Sequence, residues 1–228
     1  MLSELQEAGP LLLEGAGLTL LYTMSGAAAA LVLSFVLGLM ALSRRLLVRG
    51  VARVVVELFR GTSLVVQLLW IFYVLPQLGI RLDTFAAATL ALGLNFGAYG
   101  SEVVRGAINS VPRAQWEATV ALSMSPATRM RRVILPQALP EMVPPFSNLW
   151  IQVLKSSSLL YLIQITELAF QVQELRYDVG SLTAFSIALV IYFVLSQVLV
   201  AVTRVVENRA AARVGRGPLA VRAAEVAA

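Results

Sequence analysis

The chain of 228 residues is 58% hydrophobic and 14% charged, with a net charge of +5. Such an apolar excess excludes an ordinary soluble domain and points to a membrane protein. With no cysteine and no histidine, disulfides, thiol chemistry and the usual zinc and haem ligands are removed, and no metal site is expected. The basic residues fall in separate clusters between apolar runs, which fits a membrane surface and not nucleic acid.

The N-terminus lacks a basic region and carries Glu4, Glu7 and Glu14, so no cleavable signal is expected. About 20 apolar residues cross a hydrocarbon core. The run between Glu14 and Arg44 gives a first span near 17–42. A second starts near 54 and continues to Arg81, and a third runs from Asp83 to about 107. The fourth, 142–166, is interrupted by Lys155, and the fifth lies between Asp178 and Arg204. The expected fold is an all-α integral membrane protein with five transmembrane helices. No internal repeat, low-complexity linker or second domain is evident: residues 15–207 form one membrane domain, and 208–228 a disordered cytoplasmic tail.

Arginines set the direction of crossing. Arg44, Arg45, Arg49 and Arg53 follow span one. Arg113, Arg129, Arg131 and Arg132 follow span three, and Arg204, Arg209, Arg213, Arg216 and Arg222 lie in the tail. The remaining connections hold Arg81 and Arg176 beside Asp83, Glu167, Glu174 and Asp178. The N-terminus is therefore expected outside, with the long central loop and the C-terminus in the cytoplasm.

Several polar residues fall within or beside the spans, where they usually face a bundle interior or an aqueous path. Glu57 with Arg60, and Glu102 with Arg105, are each three apart on a helix. They either neutralise each other at the interface or help close a cytoplasmic gate between subunits. Asn95 and Tyr99 share a helix face and either tie helices together or line a path; Gly93, Gly97 and Gly100 nearby permit close helix packing. Lys155, followed by Ser156, Ser157 and Ser158, is either a polar patch on a translocation route or a structural lysine with a partner elsewhere. Glu167 either attracts a solute's amino group or marks the outer boundary.

Residues 113–136 read as two short helices. Gln115 to Leu122 holds good helix formers, Ser123 and Met124 make the turn, and Ser125-Pro126 is an N-cap with proline at the first helical position. Pro136 is expected to close the second helix. Such a helix either fits a groove in a partner or rests on lipid headgroups.

The sequence Glu117-Ala118-Thr119-Val120-Ala121-Leu122-Ser123, with Val133-Ile134-Leu135-Pro136 beyond it, resembles the EAA loop of ABC-importer permeases. In that pattern Thr119 stands for the second alanine, Ser123 for glycine and Val133 for isoleucine, with the spacing intact. Glu57-Leu58-Phe59-Arg60-Gly61-Thr62 with Gln67, Ala98-Tyr99 with Glu102, Arg105-Gly106-Ala107-Ile108, Gln115-Trp116, and Lys155 with Ser157-Ser158-Leu159 resemble the polar-amino-acid branch. The resemblance implies a subunit of the bacterial inner membrane, paired with an identical or homologous permease. It implies two ATPase subunits below that use ATP and Mg, and a solute-binding protein outside. It also implies ATPase coupling through Glu117, Ala118, Thr119, Ala121, Leu122, Ser123 and Met124. This chain itself has no catalytic residue and no cofactor in that reading; it lacks a Gly-x-x-x-x-Gly-Lys-Ser/Thr phosphate loop. The implied solute is a polar amino acid or related zwitterion, with a compatible solute such as ectoine as the alternative. A self-contained channel or carrier, and an intramembrane Ser–Lys hydrolase built on Lys155 and Ser156 to Ser158, are the competing classes.

Overall fold

In hydrocarbon the backbone must satisfy its own hydrogen bonds, so long apolar runs fold as helices. The computed structural model describes residues 2–213, with side chains for residues 8–209, and these residues contain helices and no strand. The tail beyond Arg213, with Arg216 and Arg222, lies outside the described residues, as do the side chains of Glu4 and Glu7.

Helix α1 is Leu2–Ala41 and α2 is Leu46–Gly61. The short α3, Leu64–Leu69, continues as a π turn over Trp70–Val74 and a 3-10 turn over Leu75–Leu78. Then come α4, Thr84–Asn109, α5, Arg113–Ala121, and α6, Pro126–Arg129. A second π turn, Met130–Ile134, leads into α7, Leu135–Ser156, and a 3-10 stretch, Ser157–Ile163. Last are α8, Leu168–Val179, and α9, Ser181–Arg213, which takes in the start of the expected tail.

The core pair is α1 with α4, brought together by small residues. A Cβ added at Gly93 would meet Ala29 Cβ at 2.7 Å, and one at Gly97 would meet Leu33 Cβ at 2.7 Å. At Gly100 it would overlap Ser34 Oγ, and at Gly38, on the other helix, it would meet Val104 Cβ at 2.8 Å. Such contacts let the backbones approach until hydroxyls bridge them, as Ser25 and Thr89 do at 3.0 Å. The contact numbers rise together along both helices, so α1 and α4 are parallel. Helix α7 runs the other way: Ile134, Ala138 and Met142 pack with Val104 and Ile108, whereas Val153 packs with Ala91 and Leu92. Helix α9 follows α1, since Tyr192 reaches Glu167 beside Thr19, and residues 199–206 share a cleft with residues 23–31. Helices α1, α4 and α9 thus run one way and α7 the other.

By length and composition two helices can cross a membrane, Ala8–Ala41 and Ser181–Arg209. A third crossing arises if Leu46–Gly61 and Leu64–Leu78 count as one span, but these are bent by 106°. The second span expected from near 54 is thus not one straight helix. Thr62 (φ −116°, ψ 154°) and Ser63 (φ −68°, ψ 135°) are extended, and Gly61 before them is a weak helix former.

The expected stop at Pro136 is also corrected. The chain passes from α6 through the π turn into α7 without leaving helical geometry. Proline has no N–H and clashes with the carbonyl four residues back. The wider turn, closed by Leu135 N–H to Met130 O, takes up that defect. The connection between the fourth and fifth expected spans forms helix α8: Leu168, Val172 and Leu175 are buried along one helical face, and Gly180, at φ 83°, follows its end.

Candidate functional site

Four groups of polar residues stand out in an otherwise apolar bundle: the elbow of the central loop, the break between α2 and α3, and two clefts. The elbow is α5 followed by the turn at Leu122 to Met124. Ser123 N–H donates to Val120 O at 2.8 Å and Met124 N–H to Thr119 O at 3.0 Å, the two bonds of a Schellman ending. Ser123 accordingly sits at φ 52°, the left-handed conformation that glycine adopts most easily. Serine thus supports the same turn. Ser125 Oγ caps α6 by accepting from Thr128 N–H at 3.3 Å. Trp116 packs against the cluster of Val111, Ile134 and Ala138, which fastens the elbow to the bundle.

The expected coupling residues divide here. Glu117, Ala118, Ala121, Leu122 and Ser123 are exposed, together with Val120, and Met124 is half-buried. Thr119 is not a surface residue: it is 2% exposed and its Oγ1 donates to Trp116 O at 2.7 Å. Leu122 is 71% exposed at the tip of this elbow.

At the break, α2 leaves carbonyls with no partner in the next turn, which must be satisfied by side chains. Gln67 Nε2 donates to Phe59 O at 2.8 Å and to Thr62 Oγ1 at 2.7 Å. Asn95 Nδ2 donates to Phe59 O and to Gln67 Oε1, both at 3.1 Å, and Tyr99 Oη donates to Arg60 O at 3.3 Å. Asn95 is buried and joins α4 to both halves of the broken span; Tyr99 remains 39% exposed beneath the Arg60 guanidinium, 5.5 Å from its ring centroid. Gln67 stands out in the sequence only through the resemblance, yet it makes more of these bonds than Asn95.

The two acid–base pairs come together in one cleft of ≈ 400 Å³ lined by Ala41, Arg53, Glu57, Arg60, Glu102 and Arg105. Each pair is closed within its own helix: Arg60 Nη1 lies 4.0 Å from Glu57 Oε1, and Arg105 Nε donates to Glu102 Oε2 at 3.0 Å. A second cleft, of ≈ 420 Å³, lies between α7 with its 3-10 extension and α9, and is lined by Lys155, Ser158, Leu189, Tyr192, Phe193, Ser196 and Gln197. Ser156 is half-buried and is not among these lining residues. Ser157 Oγ donates to Leu154 O and Ser158 Oγ to Lys155 O, so neither hydroxyl presents its proton to the Lys155 amine as a Ser–Lys dyad requires.

Residues 30–212 match the family described as binding-protein-dependent transport system inner membrane component. The chain belongs to that family. It is 43% identical over 201 residues to a probable amino-acid ABC transporter permease of Sinorhizobium fredii, y4tF, covering 85% of this chain and 84% of that one. To the glutamine transport permease GlnP of Escherichia coli it is 37% identical, covering 91% and 96%. A crystal structure of an amino acid ABC transporter with histidines superposes with a TM-score of 0.82 at 31% identity, over 90% of this chain and 96% of that one. The MetNI methionine transporter shares the fold, at a TM-score of 0.71 and 20% identity over 88% and 96% of the two chains. The relatives are transport permeases by name.

Within this permease Glu167 is not an entrance carboxylate. It has no exposed surface. Its Oε2 accepts from Thr19 Oγ1 and Tyr192 Oη, each at 2.9 Å, and its Oε1 from Ala169 N–H at 2.9 Å and Phe170 N–H at 3.3 Å. One carboxylate therefore caps α8 and fastens it to α1 and α9. Nothing in the local sequence announces these partners, which are 148 and 25 residues away. The cap itself is legible, since an acid directly before an apolar helical stripe is an N-terminal signal. Glu167→Leu removes the acceptor for all four donors, and each buried donor left unsatisfied costs about 1–3 kcal/mol. Its thermal midpoint in detergent should fall well below that of Glu167→Gln, which keeps one carbonyl acceptor. Equal midpoints for the two variants and the wild type would reject the knot.

Proposed function

We propose that this chain is one half of the pore of an ATP-driven importer for a polar amino acid or related zwitterion. The observation that carries this is the elbow. Leu122 and Val120 are exposed among polar neighbours on a rigid turn, beside Glu117 and Ala118. A large apolar side chain held out in a basic cytoplasmic loop suits a protein groove. In this reading α1, the broken α2–α3 span, α4, α7 and α9 are the five crossings, with the N-terminus outside and residues 208–228 in the cytoplasm. Two ATPase subunits bind the elbows, a second permease completes the pore, and an extracytoplasmic binding protein delivers the solute. ATP and Mg belong to the ATPases; binding of ATP draws the elbows together. The stroke enters α7 directly, because α6, the π turn and α7 are one continuous helical path. Energy is supplied by the ATPases' differing affinity for ATP in the two states.

The charged cleft between α2 and α4 acts as the cytoplasmic gate, its pairs available to meet those of the second permease. The supporting relatives are amino-acid permeases by name, which favours an amino acid. Proteoliposomes holding the permease, its ATPases and the binding protein should accumulate solute only with ATP and Mg. Accumulation at an equal rate by the permease alone, without nucleotide, would reject this function in favour of a channel or carrier.

A further inference from the structure

Helix α2 is amphipathic in a way that its own bundle does not use. Leu47, Val51, Val54 and Leu58 fall four, three and four residues apart, so they form one stripe, and they are 83%, 56%, 69% and 57% exposed. Ala52 and Val56, which hold α2 to the bundle, lie on the other side of the helix and are buried. The stripe therefore points away from the rest of the chain. Opposite it run Arg45, Arg49 and Arg53, each four residues after the last, and Arg44 precedes them. Residues 42–56 contain these four arginines and no acid. Among the described residues none of the four is in an ion pair. The acids at hand, Glu57 and Glu102, pair with Arg60 and Arg105. The bend of 106° after Gly61 also means that α2 and α3 do not both run along the membrane normal.

An apolar stripe on one side of a helix and arginines on the other suit the boundary between acyl chains and headgroups. Basic residues clustered directly after a membrane helix, on its cytoplasmic side, attract anionic headgroups. We propose that α2 lies obliquely in the cytoplasmic leaflet and binds anionic phospholipid there, with Leu47, Val51, Val54 and Leu58 among acyl chains and Arg44, Arg45 and Arg49 on the phosphates. A second permease seated on the stripe would cover the apolar side chains but leave the guanidinium charges uncompensated. An anionic leaflet serves both. Arg53, one turn beyond Arg49, lines the charged cleft with Glu57, Arg60, Glu102 and Arg105, so lipid charge acts within a helical turn of the gate. This rests on the orientation given above, with this end of α2 in the cytoplasm, and is independent of the solute.

The test uses the permease–ATPase complex in nanodiscs of mixed phosphatidylcholine and phosphatidylglycerol, and native mass spectrometry counts the lipids that stay bound. Phosphatidylglycerol should be retained over phosphatidylcholine. Each of Arg44→Gln, Arg45→Gln and Arg49→Gln should weaken that preference about fivefold, the effect of one basic residue at an anionic surface. The corresponding changes to Lys should keep it, and raised salt should weaken it in the wild type. A photoreactive benzophenone amino acid in place of Val54 gives a second readout that leaves every arginine in place. It should crosslink to phospholipid. Equal retention of the two lipids by the wild type overturns the proposal, as does a preference that survives all three Gln changes. So does a crosslink from residue 54 to a second permease, the result expected if the stripe is a subunit contact. Neither readout needs ATP or solute, so failure here is distinct from absence of ATP-driven uptake in the complete transporter, which would reject the wider function.

Discussion

Leu122→Asp should stop ATP-driven uptake while leaving the chain folded in the membrane. Leu122 is 71% exposed, so within this chain an aspartate there breaks no buried contact. Against an ATPase groove the same change buries a charge where an apolar anchor sat. Interface anchors of that kind are worth about 2 kcal/mol or more, which corresponds to a loss of roughly thirtyfold in affinity. Uptake and co-purification of the ATPase should therefore fall together, with the thermal midpoint of the permease unchanged. Glu117→Arg and Ala118→Asp lie on the same exposed face and should act alike. Thr119→Val makes the contrasting control. Its hydroxyl is bonded inside the elbow, so stability should move before ATPase binding does. Wild-type uptake by Leu122→Asp would remove the elbow from the coupling path.

That elbow is legible from residue order because its determinants are local. Ser125-Pro126 starts a helix wherever it occurs in such a context. The two turn bonds need only a residue at Ser123 that tolerates positive φ. The glycine face of α4 is legible for the same reason: Gly93 and Gly97 share one helical face by spacing alone. The bend after Gly61 is not. Hydropathy sees an apolar run from 64 onward and is blind to whether Thr62 and Ser63 are helical. What stabilises the bend is Gln67 and Asn95 reaching Phe59 O, and the Asn95 bond exists only once α4 lies alongside. Residue order leaves Asn95 as either a tie between helices or a path residue; in the bundle it is buried and its amide donates to Phe59 O and Gln67 Oε1. Glu167 shows the same limit more sharply, since Thr19 and Tyr192 come from opposite ends of the chain. Pro136 misleads because proline ends a helix in most settings, and a π turn is invisible in composition.

The packing of α1 on α4 sets the second large expectation. Gly97→Leu should prevent recovery of folded permease. A Cβ at residue 97 would already meet Leu33 Cβ at 2.7 Å and Ala30 O at 3.3 Å, before the rest of the leucine is placed. Neither obstacle is the far end of a flexible chain, so the helices must separate. Separation undoes Gly93 against Ala29 and Gly100 against Ser34, and stretches the Ser25–Thr89 bridge. Overpacking a fitted core costs about 1–3 kcal/mol, occasionally more, and a branched side chain against backbone falls at the upper end. Between transmembrane helices this matters more than in a soluble core, because lipid gives no hydrophobic drive to hold separated helices together. Gly106 lies on the same helix, and a Cβ added there would meet nothing within 4 Å. Gly106→Ala should therefore change stability by roughly 1 kcal/mol or less, in the stabilising direction expected from helix propensity, with a small rise in the midpoint. Yield and thermal midpoint in detergent, followed by tryptophan fluorescence, separate the two. A Gly97→Leu protein that melts with the wild type would mean that α1 and α4 do not pack face to face through their glycines.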